Sequence, residues 1–147
     1  MDITTNEMKL QFDEKTLAFS VQKGEGCVWK WDGNYAPYLE CEEGEVLFAD
    51  AQEIRHQEYR TGTGRGILST YRGFGKAGES GEYEFQTLVW AENATGEVYF
   101  EWIPVKEEGL KVKKVFWPGP MEFCEKREDW YTLLTQRQGM LIPNTWE

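Results

Sequence analysis

The chain has 147 residues, with sixteen basic against twenty-six acidic side chains and a formal charge of −10. That length suits one domain able to bury most of its apolar surface, and the charge repels nucleic-acid phosphates and anionic lipid, so neither nucleic acid nor membrane is expected as a partner. No apolar run reaches membrane-helix length, and residues 1–10 lack the basic start and apolar centre of a secretory signal, which points to a soluble chain and leans toward the cytoplasm.

Trp stands at 29, 31, 90, 102, 117, 130 and 146, beside seven Tyr and eight Phe, mostly on short alternating segments that read as β-sheet. Met8, Leu10 and Phe12 alternate. After the polar turn Asp13-Glu14-Lys15-Thr16, Leu17, Phe19 and Val21 alternate again, the signal of a hairpin. A glycine-bearing break from Lys23 to Gly26 precedes Cys27-Val28-Trp29-Lys30-Trp31, a third strand with both Trp on one face. Asp32-Gly33-Asn34 marks a turn, Pro37 an irregular connection, and Val46-Leu47-Phe48-Ala49 a buried strand. Residues 51 to 60 suit a helical turn or a strand, and the strand is preferred.

Gly62, Gly64 and Gly66 lead as a loop into a strand at Ile67–Tyr71, and a polar, glycine-rich loop runs from Gly73 to Gly81. From Tyr83 to Ile103, Phe85, Thr87 and Val89 oppose Gln86, Leu88 and Trp90, and Asn93-Ala94-Thr95-Gly96 turns the chain into Val98, Phe100 and Trp102: a strong hairpin. Glu107-Glu108-Gly109 turns again into Leu110–Lys113 and Val115–Trp117, and Pro118-Gly119-Pro120 gives a rigid exit. Trp130, Leu133 and Leu134 fit a helical face capped at Gly139, or a strand leading to Met140-Leu141-Ile142. About nine short strands imply an all-β fold, an antiparallel β-sandwich with room for one short helix. No repeat or linker divides it, so residues 1–147 form a single domain.

Chemistry-bearing residues are sparse. The single His56, three cysteines and Ser20, Ser69 and Ser80 offer no recognisable nucleophile, metal or phosphate site, and no cofactor is expected. Cys27, Cys41 and Cys124 are odd in number, widely spaced and free of a CxxC signature, so they read as buried or idle thiols. Gly62-Thr63-Gly64-Arg65-Gly66 lacks the helix a phosphate cradle needs, and Gly75-Lys76 lacks the Walker spacing. Glu42-Glu43, Glu107-Glu108 and Glu128-Asp129 suit solvated turns, and Asn93-Ala94-Thr95 matters as a glycan acceptor only in a secreted eukaryotic chain. Trp90, Phe100 and Trp102 sit in regular strands and read as core or interdomain packing. Trp31, Tyr35 and Tyr38 lie at a strand end and in a Gly/Asn/Pro loop. They are the candidate carbohydrate-binding residues, because a flat ring offers its face to pyranose C–H groups.

The opening Leu10-Gln11-Phe12-Asp13-Glu14-Lys15-Thr16-Leu17-Ala18-Phe19-Ser20-Val21, with Gly26-Cys27-Val28-Trp29, resembles the first strands of galactose-mutarotase-like β-sandwich domains that precede the catalytic barrel of large glycoside hydrolases. Gln138-Gly139-Met140-Leu141-Ile142-Pro143-Asn144 is similar to a strand shortly before that barrel. The resemblance implies an N-terminal domain or fragment of a longer protein, and it carries no catalytic residue across. His56, between Arg55 and Gln57-Glu58, matches no mutarotase motif. The expected function is a non-catalytic accessory sandwich of a carbohydrate-active enzyme, partnered by an adjacent catalytic domain. The alternatives are a free-standing carbohydrate-binding module and, more distantly, an independent mutarotase. An exposed apolar patch would let a homodimer stand in for the missing partner.

Overall fold

Leu10 and Phe12 meet Val21 and Phe19 across antiparallel strands, and all four side chains are buried, as alternation along each strand requires. The computed structural model describes residues 1–74, 83–134, 140–143 and 145. Along them run β1 (Asp2–Thr4), β2 (Lys9–Phe12), β3 (Phe19–Lys23), β4 (Gly26–Trp31), β5 (Tyr38–Cys41), β6 (Gly44–Leu47), β7 (Glu53–Arg60), β8 (Gly64–Arg72), β9 (Glu84–Glu92), β10 (Val98–Lys106), β11 (Val112–Phe116), β12 (Met121–Phe123), β13 (Tyr131–Leu134) and β14 (Met140–Pro143). One sheet has the order β1-β2-β3-β4-β12, a second β10-β9-β8-β7 and a third β11-β5-β6, while β13 pairs with β14.

The two larger sheets share one core. Leu10, Phe12, Phe19, Val21 and Trp31 enter it from the first, and Ile67, Tyr71, Phe85, Val89 and Ala91 from the second. Ring contacts cross between them, Phe19 to Phe100 at 5.1 Å and Phe12 to His56 at 5.0 Å. Leu39, Cys41 and Phe48 bring the third sheet onto the same core. This is the expected all-β antiparallel sandwich, with more strands among the described residues than alternation alone suggests.

Local chemistry closes the turns. Asp13 Oδ1 accepts from the Lys15 and Thr16 amides at 2.8 and 3.2 Å, an Asx-type turn that also holds the Asp13 carboxyl below its usual range. Leu17 follows at φ 62° and is still buried, so its contacts outweigh an unfavourable left-handed backbone. In the β9–β10 hairpin, Glu92 Oε2 accepts from the Ala94 and Thr95 amides at 2.8 and 2.6 Å, and Gly96 adopts φ 70°.

Three readings change and one open alternative closes. The run at 46–49 is split: β6 ends at Leu47, and Phe48–Asp50 form a 3-10 turn in which Asp50 Oδ2 accepts from the Leu47 amide at 3.0 Å. Gly64 and Gly66 belong to β8 rather than to a loop, because both pair with β9, and Trp90 with the adjoining backbone fills the space a side chain would need. Residues 131–134 form a strand, not a helix, since β14 supplies a ladder for them. Cys27 and Cys124 form a disulfide, with Cα atoms 5.6 Å apart across a separation of 97 residues, and only Cys41 is a free, buried thiol. Antiparallel pairing of Phe123 with Trp29 delivers Cys124 to β4, a long-range register that spacing along the chain cannot reveal. Of the expected loop from Gly73 to Gly81, residues 75–81 lie outside the described residues, as do Gly75-Lys76 and Gly139.

Phe85 is fully buried among five other rings, so Phe85→Ala leaves a cavity that cannot close; urea denaturation is expected to show a loss of about 3–5 kcal/mol. Alkylation of the unfolded, unreduced chain followed by mass measurement is expected to modify one thiol, and three after reduction. Three modified thiols without reductant would contradict the Cys27–Cys124 pairing.

Candidate functional site

Trp31, Tyr35 and Tyr38 come together at the exit of β11. Strand alternation turns Trp31 inward, where it is 5% exposed, edge-on to Phe19 at 5.0 Å and 5.9 Å from the Tyr35 ring. The Tyr35 hydroxyl donates to the Phe116 carbonyl at 2.8 Å, and burial raises its pKa. Tyr38 stacks on Phe116 at 4.3 Å with 9° between the planes. Gly119, in the corner after the cis Trp117–Pro118 bond, lies so close that any Cβ would strike the Tyr35 ring and the Trp31 indole nitrogen. The Trp117–Pro120 corner is thus the rigid exit its prolines suggested. Trp31 is a core residue instead of part of an exposed patch, because the corner and β12 cover it.

His56 lies on β7 facing the first sheet. Its Nδ1 is 2.8 Å from Ser69 Oγ, and its ring meets Phe12 and Tyr71 edge-on at 5.0 and 6.4 Å. Ser69 and Thr87 are 3% exposed, and burial pushes the Tyr71 hydroxyl up to about 12 even though both hydroxyls hydrogen-bond to it. The cluster is therefore a satisfied polar seam inside the sandwich, with its only serine closed to substrate. Burial lowers the His56 pKa, against the opposing charge and backbone hydrogen bond of Glu14 at the tip of the β2–β3 hairpin. Among the described residues no three His, Cys, Asp or Glu side chains group to hold a metal ion.

The two outer faces differ in chemistry. That of the first sheet is polar: Gln22 Nε2 donates to Gln11 Oε1 at 2.6 Å, and Lys30 lies 3.8 Å from Glu122. That of the second carries Tyr59, Leu68, Leu88, Trp90, Tyr99 and Ile103 on successive pairs. Leu88 is 4% exposed yet is no part of the central core. Trp90 stacks on Tyr99 at 4.6 Å, donates to Glu101 Oε1 at 2.8 Å, and spreads over β8, where a Cβ on Gly64 would come within 2.6 Å of its ring. Tyr99 and Val105 are exposed. Regular strands and a split pattern of apolar residues hid this face from sequence reasoning. The signal that could have found it was the apolar residues at both parities between Phe85 and Ile103.

Protonating a half-buried His56 opposes folding. Its contribution to stability is therefore full above the ordinary pKa of 6.5 and is lost as pH falls toward the lower folded value. Thermal unfolding from about pH 7.5 to 5 should lower Tm more in the wild type than in His56→Gln; parallel curves would remove His56 from the pH response.

Comparison with solved structures places this fold. The chain is similar to the α-N-acetylgalactosaminidase NagBb from Bifidobacterium bifidum: to its GalNAc complex and its Gal-NHAc-DNJ complex at 36% identity and TM-score 0.79, and to a quadruple mutant at 34% and 0.77. The match covers 99% of this chain and only 22–23% of theirs. No protein-family model matches, and no curated protein does. No helix among the described residues is long and apolar enough to cross a membrane. From end to end, the chain thus corresponds to one domain-sized part of a larger glycoside hydrolase.

Proposed function

We propose that this chain is a non-catalytic accessory β-sandwich of a glycoside hydrolase, seated against the catalytic domain through the outer face of the second sheet. The observation that carries this reading is the contrast between the two outer faces. A solvated antiparallel sheet alternates apolar-in and polar-out, and the first sheet does so, whereas the second sheet adds Leu68, Leu88, Trp90, Tyr99 and Ile103 on its outside. Tyr and Trp are the residues that anchor protein interfaces. The occupant is the catalytic part of the same polypeptide, because the structures with this fold hold it within chains more than four times longer. The buried Ser69 and the packing of His56 among Phe12, Tyr71 and Ser69 support the absence of catalysis by the sandwich itself.

Sedimentation of the chain mixed with the separately produced remainder of a polypeptide carrying it is expected to show a one-to-one complex, weakened about tenfold or more by Tyr99→Lys with Ile103→Lys. The chain alone should not hydrolyse a nitrophenyl α-N-acetylgalactosaminide. Hydrolysis by the chain alone, a complex indifferent to both substitutions, or a homodimer formed through this face in preference to the complex would each overturn the reading.

A further inference from the structure

A second aromatic group lies at the β4–β12 edge of the first sheet. Trp29, Phe123 and Trp130 follow one another with ring centroids 6.4 and 5.9 Å apart and planes inclined by 59° and 48°, so they form a curved wall rather than a stack. The pocket they line measures about 350 Å³ and is completed by Met8, Val28, Gly96 and the exposed Tyr131. Phe123, Trp130 and Tyr131 take no part in the central core, so core packing does not account for them. The wall is fixed, because the Cys27–Cys124 disulfide and the Cys124 amide, which donates to the Val28 carbonyl at 3.0 Å, bind β12 to β4.

Its polar groups are placed as deliberately as its rings. Arg127 lies over Trp130, 5.1 Å from the ring centroid, and grips both oxygens of Asp129 with Nε and Nη2 at 3.0 Å each. That hydrogen bonding keeps the Asp129 carboxyl ionised and fixed at the pocket, with lone pairs left for further donors. Lys23 lines the same pocket. An anion would meet Asp129 and a cation would meet Lys23, whereas a neutral ring with apolar C–H faces and hydroxyls at its rim satisfies the wall and both charges.

We propose that this pocket, built on Trp29, Phe123, Trp130, Tyr131, Asp129 and Lys23, binds a neutral pyranoside, stacking it on Trp130 and taking its hydroxyls on Asp129 and Lys23. The volume sits at the small end of ligand sites, which suits a mono- or disaccharide. No residue that lines this pocket belongs to the docking face, so either proposal can fail alone.

The test is a tryptophan-fluorescence titration of the whole chain with the methyl α-glycosides of galactose, glucose and N-acetylgalactosamine, with saturation-transfer NMR on the sugar protons. The expected result is saturable quenching by at least one glycoside with Kd on the order of millimolar, transfer to ring C–H protons, and about tenfold weaker binding in Trp130→Ala and in Asp129→Asn. Trp90→Ala, on the docking face, should bind normally, and circular dichroism should show all three variants folded. No saturation by any of the three sugars, or equal affinity in Trp130→Ala, would overturn the proposal.

Discussion

The Phe85 ring is the contact on which the fold depends. It is fully buried and lies against Phe48 at 4.7 Å, Tyr71 at 4.8 Å, Phe74 at 5.5 Å, Trp102 at 6.0 Å and Tyr83 at 6.1 Å. These partners come from the 3-10 turn, β8, β10 and the segments beside β8 and β9, so one side chain joins the second sheet to the connection below the third. Aromatic pairs contribute about 0.5–1.5 kcal/mol beyond the area they bury. A hub with five partners therefore concentrates stability where the second sheet meets that connection.

With its inner side committed to this core, the molecule has its outer faces left for other work. The first sheet's exterior carries polar and charged side chains that water solvates. The second sheet's exterior carries Trp90 across two glycines and against Tyr99, an arrangement that costs backbone entropy at Gly64 and Gly66 and places large apolar rings toward the outside. A domain that functioned alone in water would gain nothing from that cost. On the proposed docking, the catalytic part of a larger glycoside hydrolase recovers it by covering the rings.

Much of the fold was legible. Alternation through Leu10, Phe12, Phe19 and Val21, and through Phe85, Thr87 and Val89, names the inward residues because a strand has only two faces. The Asn93–Gly96 turn was legible for the same local reason. What escaped was long-range. The disulfide rests on a register between residues 97 apart, and Trp31 is buried by a corner that arrives almost ninety residues later. The aromatic wall at Trp29, Phe123 and Trp130 escaped as well, since nothing in the spacing of those residues says that β12 pairs with β4. Of the three rings singled out from the sequence, Trp31 is buried in the core, and the wall at Trp29, Phe123 and Trp130 was not among them.

On the proposed docking, the second sheet's exterior is covered by the catalytic domain. Hydroxyl-radical footprinting with mass-spectrometric readout tests it most directly, comparing the isolated chain with the same chain inside a full-length polypeptide. Tyr99, Trp90 and Ile103 are expected to react in the isolated chain and to be protected in the longer one, while Tyr131 reacts alike in both. Equal reactivity of Tyr99 and Ile103 in the two forms would contradict it.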